Sequence, residues 1–135
     1  MPVNNKSSVN KRYKDLDLTM VLHPINRDVN RLFDVNSVLR SCKHLVLLDA
    51  YEKPFRPEIG VGLKKWLFEP MDVITASEIG YAVQNTLNLH EPRAKILNVN
   101  TKANFKDNSW EMTIELEILG IPIPQTLSLT LKRLR

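Results

Sequence analysis

The feature that most constrains the fold is a strict alternation of apolar and polar side chains over residues 110–118. The apolar positions are Trp110, Met112, Ile114, Leu116 and Ile118, and the positions between them are Glu111, Thr113, Glu115 and Glu117. Successive side chains of a β-strand point to opposite faces, so the alternation predicts a strand with one buried and one solvated face. Such a strand needs partner strands at its edges and a second layer against its apolar face.

Weaker alternation on both sides of this strand predicts its two partners. The strand before it is predicted to turn one side inward at Leu97, Val99, Thr101, Ala103 and Phe105. Asp107-Asn108 supplies the chemistry of a hairpin turn between the two strands. Residues 120–124 contain Gly120 and two prolines and predict the next turn, followed by a third strand with Leu127, Leu129 and Leu131 inside. The three strands are expected to form an antiparallel meander.

Upstream of the strands, the apolar residues recur with the period of a helix. The first helix is predicted to bury one stripe, consisting of Val35, Val38, Leu39, Cys42, Leu45 and Val46. Asp34 or Asn36 is predicted to cap its start. Because Cys42 lies on the apolar stripe, it is interpreted as a small core residue rather than a nucleophile.

A second long helix is predicted from Thr75-Ala76-Ser77-Glu78, which has the sequence of a capping box. Its apolar stripe is expected to consist of Ile79, Ala82, Val83, Thr86 and Leu87, and Pro92 prevents the helix from continuing past Glu91. Between the two helices, the sequence predicts a loop over residues 52–60 and then a short helix that buries Val61, Leu63, Trp66 and Leu67.

The first 34 residues give weaker signals. Residues 1–14 are polar and are predicted to be a flexible basic arm, followed by a single domain over residues 15–135. A faint alternation predicts a strand that ends before Pro24, with inward positions at Leu16, Leu18, Met20 and Leu22, and residues 26–34 are predicted to be rich in turns. The predicted fold class is α+β, with about three helices packed on one face of a mainly antiparallel sheet that ends in a C-terminal three-stranded meander.

Charge and hydropathy narrow the classes of partner. The four basic residues of the arm account for the net charge of +4, and the remaining residues carry 15 basic and 15 acidic side chains. A neutral body argues against nucleic-acid binding, which calls for a basic face on the folded part. The longest strictly aliphatic stretch, residues 45–48, is far too short to cross a bilayer, so no membrane partner is expected. The single Cys42 excludes an internal disulfide and suits a reducing cytosol.

The residues suggest no cofactor, no metal site and no activated nucleophile. His23, His44, His90 and Cys42 lack the spacing of metal ligands, and four glycines leave little room for a phosphate-binding loop. Several acids lie in or beside predicted loops, namely Glu58, Glu69, Asp72 and Glu91. These acids leave two interpretations open. They could form a glycoside hydrolase site, which needs two carboxyls at a set separation, or they could act singly as helix caps and docking groups, which need no such separation.

A series of motifs resembles one known family. The series consists of residues 54–63 (PFRPEIGVGL), then Leu67-Phe68-Glu69-Pro70-Met71, then the capped helix and finally Glu91-Pro92-Arg93. In this order and spacing it is similar to the baseplate-wedge family of contractile phage tails, and closest to the T-even-like branch. The family, which is sometimes labelled tail-lysozyme-like, includes a baseplate component of type VI secretion systems. The resemblance extends over about residues 12 to 131.

This resemblance implies a non-enzymatic structural subunit of the baseplate wedge that docks on helical wedge subunits and helps to initiate the tail sheath. The implied partner-binding residues are Glu91, Pro92, Arg93, Pro54, Phe55, Pro57 and Glu58. The implied partners are other wedge subunits and the tail sheath protein, with multiple copies in a six-fold assembly. The implied location is the baseplate of the virion tail, after assembly in the host cytoplasm. Residues 1–14 and 126–134 become candidates for strand addition to neighbouring subunits.

The chemistry of the Glu91-Pro92-Arg93 motif favours docking over catalysis. Pro92 stiffens the segment, and the planar fork of Arg93 suits a carboxylate or the carbonyls at a helix end. We therefore expect a rigid, exposed corner. The alternative function is that of a peptidoglycan-degrading tail lysozyme. An adjacent arginine lowers the pKa of Glu91, however, whereas a general acid needs a raised pKa.

Overall fold

The computed structural model describes residues 13–133. Its elements are β1 Lys14–Leu16, β2 Arg31–Phe33, α1 Asp34–Leu47, a 3-10 helix Leu63–Phe68, α2 Val73–His90, β3 Ala94–Asn104, β4 Ser109–Ile118 and β5 Ile121–Lys132. Strands β3, β4 and β5 form the antiparallel meander, and β1 and β2 form a separate two-stranded sheet. The predicted α+β fold with three helices is confirmed. Most of the arm predicted at residues 1–14 lies outside the described residues.

The core lies against one face of the central strand β4. All five side chains predicted to point inward from β4 are at most 1% exposed, as are Val38, Cys42 and Val46 from α1 and Ile79, Val83 and Leu87 from α2. Burying a large aliphatic or aromatic side chain contributes about 2 kcal/mol, so this cluster is the main source of stability. Both tryptophans lie in the same core, as the sequence predicts. The 3-10 helix adds Leu63 and Trp66 and leaves Lys64 and Lys65 exposed.

Helix α1 begins without a side-chain cap. The residue before the helix is Phe33, so the predicted caps Asp34 and Asn36 are both wrong. The N–H of Asp34 instead donates to the backbone carbonyl of Tyr13 at 2.8 Å. A backbone acceptor immediately before β1 therefore satisfies one of the free donors at the start of the helix.

Helix α2 is capped one turn earlier than predicted. Asp72 is the cap, and its Oδ1 accepts the N–H of Thr75 at 2.8 Å. The predicted capping box of Thr75 and Glu78 is therefore wrong, because Thr75 already lies within the first turn. An ionised carboxylate at this place is favoured by the helix dipole, and the hydrogen bond from Thr75 lowers the pKa of Asp72.

Two irregularities alter the predicted strand boundaries. A register shift between Ile96 and Asn98 in β3 turns Ile96 inward and leaves Leu97, which was predicted to be inside, 44% exposed. Strand β5 begins at Ile121 directly after the Leu119-Gly120 turn, so the predicted turn over residues 120–124 is too long. Its two prolines are tolerated because β5 is an edge strand and the register shifts opposite them.

Residues 14–33 form an irregular hairpin, hereafter the N-terminal hairpin, in place of the single predicted strand. Strand β1 pairs with β2, and Leu22 makes an isolated bridge to Val29. The turn-rich segment predicted at residues 26–34 therefore contains a strand. The faint alternation does not correspond to a buried face, because all four positions predicted to be inside are more than half exposed: Leu16, Leu18, Met20 and Leu22.

Candidate functional site

The Glu91 corner (residues 91–93) connects the end of α2 to the start of β3. The helix ends at His90, as Pro92 predicts, and the N–H of Glu91 still donates to the carbonyl of Leu87 at 2.9 Å. The carbonyl of Arg93 accepts the N–H of Leu119 at 3.0 Å, which ties the corner to the turn between β4 and β5. The corner is thus fixed to two separate parts of the fold.

The carboxylate of Glu91 is buried, with the residue only 2% exposed. Arg93 holds it with two nitrogens, since Nε donates to Oε1 at 2.7 Å and Nη2 donates to Oε2 at 2.8 Å. The hydroxyl of Ser41 on α1 also donates to Oε2. This bidentate pair with a third donor satisfies the buried charge.

The protonation of Glu91 follows from these contacts. Burial raises the pKa of its carboxyl, but the hydrogen bonds from Arg93 and Ser41 and the charge of Arg93 outweigh burial, so the pKa lies below its ordinary value. Glu91 is therefore ionised at neutral pH. A general acid must still hold its proton at the working pH, so this carboxylate is poorly suited to that role.

Arg93 also reaches the N-terminal hairpin. Its Nη1 lies 3.6 Å from Oδ2 of Asp15, and its guanidinium carbon lies 5.6 Å from the centre of the Tyr13 ring. The hydrogen bond to Glu91 is the main cause that raises the pKa of Arg93, so its charge is permanent. The arginine side chain is 28% exposed. Two of the five N–H groups of Arg93 thus donate to Glu91, and a third nitrogen faces Asp15.

The expectation of an exposed corner is wrong for Glu91. Pro92 is exposed and Arg93 is partly exposed, whereas Glu91 lies beneath them. The sequence reasoning also missed Tyr13, Asp15 and Ser41 as partners of the motif. One sequence signal was available, namely that Ser37 and Ser41 lie one turn apart on the same face of α1. In the structure they donate to Asp15 and Glu91, respectively.

Cys42 belongs to the core, as predicted. It is fully buried, and desolvation together with the nearby charge of Glu91 raises the pKa of its thiol to about 12. A thiol with such a pKa supplies no thiolate at neutral pH and is inert as a nucleophile.

The second predicted docking segment, the Phe55 loop (residues 52–60), has a defined conformation that is held by hydrogen bonds and close packing. The N–H of Tyr51 donates to the carbonyl of Pro57 at 3.1 Å, and the N–H of Asp49 donates to Oε2 of Glu52 at 2.9 Å. At its end Ile59 is buried, and Gly60 lies so close to the backbone that an added Cβ would be 2.6 Å from the carbonyl oxygen of Leu48. The loop is therefore anchored at both ends.

Phe55 is the most exposed large apolar side chain among the described residues. Its backbone has a φ of 68°, a left-handed conformation that is uncommon for a bulky residue. Pro54, Pro57 and Glu58 flank it and are also exposed, and Glu58 pairs with Arg56 at 3.6 Å. The predicted site residues thus lie in two groups of opposite character, one ion-paired and partly buried, the other exposed and apolar.

The meander leaves two long strand edges without a partner in the described part of the chain. The strand order is β3-β4-β5, so β3 and β5 each pair on one side only. A groove runs beside β3, with Ser77, Gly80 and Tyr81 of α2 on one wall and Val99 and Thr101 on the other.

The other sequence-based candidates do not come together in a site. Glu58 and Glu69 are both exposed, and Asp72 caps α2. Within residues 13–133, no group of three or more His, Cys, Asp or Glu side chains is placed to hold a metal ion. No helix in the described range is long and apolar enough to span a membrane.

Comparison with known proteins gives consistent matches. The family model described as Baseplate wedge protein gp25 matches residues 23–122. Baseplate wedge protein gp25 of Enterobacteria phage T4 is 28% identical over 116 residues, which are 86% of this chain and 87% of that protein.

Two solved structures share the fold. One is a protein from Geobacter sulfurreducens that is provisionally described as a tail lysozyme, with a TM-score of 0.66 and 20% identity over 73% of this chain and 89% of that one. The other is a chain of the anti-feeding prophage baseplate, whose cryo-EM structure is six-fold symmetrised, with a TM-score of 0.64 and 15% identity over 92% and 88%. These likenesses concern the fold. The family match covers most of the chain, and the chain therefore belongs to the baseplate wedge protein gp25 family of contractile tails.

Proposed function

We propose that this baseplate wedge protein is a structural subunit without enzymatic activity, and that it docks on helical wedge subunits through the Phe55 loop and the outer side of the Glu91 corner. The observation that carries the proposal is Phe55, which is fully exposed at the tip of an anchored loop. A large aromatic side chain held in water has no stabilising role in the free chain. At an interface it becomes an anchor, because burying it contributes about 2 kcal/mol or more.

The construction of the loop supports this role. Pro54 and Pro57 restrict the backbone on both sides of Phe55, so little conformational entropy remains to be lost on docking. The left-handed backbone of Phe55 is a strained conformation, and strain of this kind is concentrated at ligand clamps and other functional sites.

At the Glu91 corner, the exposed Pro92 and the accessible part of Arg93 supply the contact surface. Glu91 acts from beneath, because its carboxylate fixes the plane of the Arg93 guanidinium. An arginine whose orientation is already fixed loses less entropy when one of its remaining N–H groups binds a carboxylate or a helix-end carbonyl.

The same proposal assigns a role in sheath initiation to the meander. Edge strands as long as β3 and β5 present free backbone donors and acceptors that can pair with a strand of another chain. The C-terminal strand, predicted at residues 126–134 and described up to residue 133, lies at one such edge, where it can pair with the tail sheath protein or a neighbouring wedge subunit. Residues 1–12 of the predicted arm lie outside the described residues. We further propose multiple copies in a six-fold baseplate that assembles in the host cytoplasm.

The test is a co-assembly assay with purified wedge subunits. We expect Phe55→Ala to leave the fold intact and to weaken association at least tenfold, as for an interface hot spot. Phe105→Ala is the matched control, because Phe105 is also an exposed aromatic side chain (74% against 102% for Phe55) and lies at the turn between β3 and β4. Normal assembly of the Phe55→Ala variant would refute docking through this loop.

The alternative, a peptidoglycan-degrading tail lysozyme, draws its support from the fold likeness to the Geobacter protein. The carboxyls are poorly placed for it, because Glu91 has a lowered pKa and Glu58 and Glu69 are solvated. Zymography on peptidoglycan with the wild type and the three Glu→Gln variants separates the two functions. A cleared band that one variant loses would establish the hydrolase and overturn the proposal of a purely structural role.

A further inference from the structure

The N-terminal hairpin is attached to the fold by polar contacts. Of the described residues, those from 14 to 33 contribute no apolar side chain to the hydrophobic core or to the layer packed directly against it. Seven of its large apolar side chains are exposed instead, namely Leu16, Leu18, Met20, Val21, Leu22, Ile25 and Phe33. The other two, Val29 and Leu32, are half-buried. A two-stranded hairpin is marginally stable on its own, so its position depends on the groups that hold it.

Two carboxylates of the hairpin face two arginines of the body. Oδ2 of Asp15 lies 3.6 Å from Nη1 of Arg93 and accepts the hydroxyl of Ser37 at 3.1 Å. Oδ1 of Asp17 lies 2.9 Å from Nη2 of Arg40 on α1. These contacts join the hairpin to the start of α1 and to the Glu91 corner.

Tyr13, which lies immediately before the hairpin, adds three contacts. Its ring lies against the guanidinium of Arg93, and its hydroxyl donates to the carbonyl of Leu119 at 3.4 Å. Its own carbonyl accepts the N–H of Asp34 at 2.8 Å. Arg93 is therefore at the centre of a network that includes α1, the end of α2, the turn between β4 and β5, and the hairpin.

The contacts of the Arg93 guanidinium fix the direction in which its remaining nitrogen points. Two of its nitrogens are held by the buried Glu91, so the third, Nη1, is aimed at Asp15. We propose that the Glu91–Arg93 pair is a clamp that sets the orientation of the N-terminal hairpin, with Asp15 as the receiving group, and that the hairpin must hold this orientation for the wedge to assemble. This inference rests on the proposed function for its assembly step. It assigns Glu91, Arg93, Asp15 and Ser41 as positioning residues.

The structural half of the proposal is tested by hydrogen–deuterium exchange on the full chain. The reporters are hairpin amides with defined acceptors, those of Asp17, His23 and Asn30. We expect Asp15→Asn to increase their exchange roughly fivefold, the effect of losing one partly exposed ion pair, and to leave the amides of β4 unchanged. Asp15→Glu retains the carboxylate and is expected to restore slow exchange. Unchanged hairpin exchange in Asp15→Asn would overturn the clamp.

Asp28→Asn provides the matched control. Asp28 is also a hairpin carboxylate, but its ion pair with Arg31 at 3.6 Å lies within the hairpin and makes no link to the body. We expect this variant to exchange like the wild type. Faster exchange equal to that of Asp15→Asn would show that the hairpin responds to any lost charge, and it would overturn the role of Arg93.

The functional half is tested by the co-assembly assay with the same variants. Asp15→Asn should weaken wedge assembly, and Asp15→Glu and Asp28→Asn should not. Faster hairpin exchange with normal assembly would refute the requirement for the hairpin. Failure of the Phe55→Ala test would instead remove docking by the Phe55 loop and leave the exchange result standing, so the two proposals fail separately.

Discussion

The Glu91 corner and the Phe55 loop lie at opposite extremes of solvent exposure. At the corner, a glutamate that is 2% exposed is bound by an arginine of its own chain and by a serine of α1. In the loop, an aromatic side chain is fully exposed, and the nearest ion pair, between Arg56 and Glu58, is solvated on both sides. The charged motif is therefore turned inward and the apolar motif outward, the reverse of the usual distribution of these residue types.

This reversal separates two roles that the sequence motifs share. A buried, bidentate ion pair fixes geometry, because both partners lose their freedom and removing Arg93 would leave the charge of Glu91 buried without a counter-charge. An exposed aromatic side chain on an anchored loop adds nothing to the free chain and is available to a partner. The corner is therefore expected to show its effects mainly in folding and orientation, and the loop mainly in association.

The largest expected effect is the loss of stability on removing the ion pair of the Glu91 corner. Arg93→Ala leaves Glu91 charged and unpaired in the core, and we expect the free energy of unfolding to fall by about 3 kcal/mol in urea denaturation. Arg56→Ala, the matched change in the Phe55 loop, should cost less than about 0.5 kcal/mol, because its pair is exposed. Replacing Glu91 and Arg93 together by methionine should recover much of the loss. Equal losses for Arg93→Ala and Arg56→Ala would contradict the contrast between the two regions.

The next largest effect tests whether the Phe55 loop is anchored by close packing at Gly60. Gly60→Ala should destabilise the chain by about 3 kcal/mol, because the new Cβ would clash with the backbone of Leu48 at a φ of 123°. Gly120→Ala is the control, since Gly120 also has a positive φ but has nothing within 4 Å of an added Cβ. Its cost should stay near 1 kcal/mol, the strain alone. Similar small losses at both positions would mean that the loop is not anchored at Gly60.

The pH dependence of stability tests whether Glu91 is ionised in the Glu91 corner. The pKa of Glu91 is lower in the folded chain than its ordinary value of 4.5, so folding favours the ionised carboxylate. This stabilisation is fully present at a pH above the ordinary pKa of Glu91, and it is lost as the pH falls through the lower pKa of Glu91 in the folded chain. The stability difference between the wild type and Glu91→Gln should therefore shrink on acidification below the ordinary glutamate pKa. Denaturant unfolding at a series of pH values measures it, and a constant difference would contradict an ionised Glu91.

The smallest effect concerns the backbone of Phe55. Phe55→Gly removes the left-handed strain but adds entropy to the unfolded chain, so we expect stability to rise by at most about 1 kcal/mol over Phe55→Ala. Both variants should associate equally poorly, because both lack the ring. Restored association in Phe55→Gly would mean that the loop backbone, rather than the aromatic side chain, makes the contact.

The fold was predictable wherever the apolar period was long and unbroken. The alternation of β4 and the stripes of α1 and α2 specify which faces are buried, and the structure confirms them. Local events were less predictable. The bulge near Leu97 and the prolines inside β5 depend on pairing with a neighbouring strand, and the cap at Asp72 competes with an equally good pattern one turn later.

The candidate site was predictable as two motifs and not as a geometry. Glu91 and Arg93 are two residues apart, so their pairing could be inferred from the sequence, but the third donor to the carboxylate, Ser41, lies fifty residues away. The link from Arg93 to Asp15 joins distant segments and has no local signature. Phe55 was recognised through its motif, whereas its full exposure followed only from the fold around the loop.

The most direct test of the docking account is hydroxyl-radical footprinting of the chain, alone and in the assembled wedge. In the free chain, Phe55 and Phe105 should both be oxidised readily, because both rings are exposed. In the wedge, the account predicts that Phe55 becomes protected and that Phe105 does not. A Phe55 ring that stays as reactive in the wedge as in the free chain would contradict docking through the Phe55 loop.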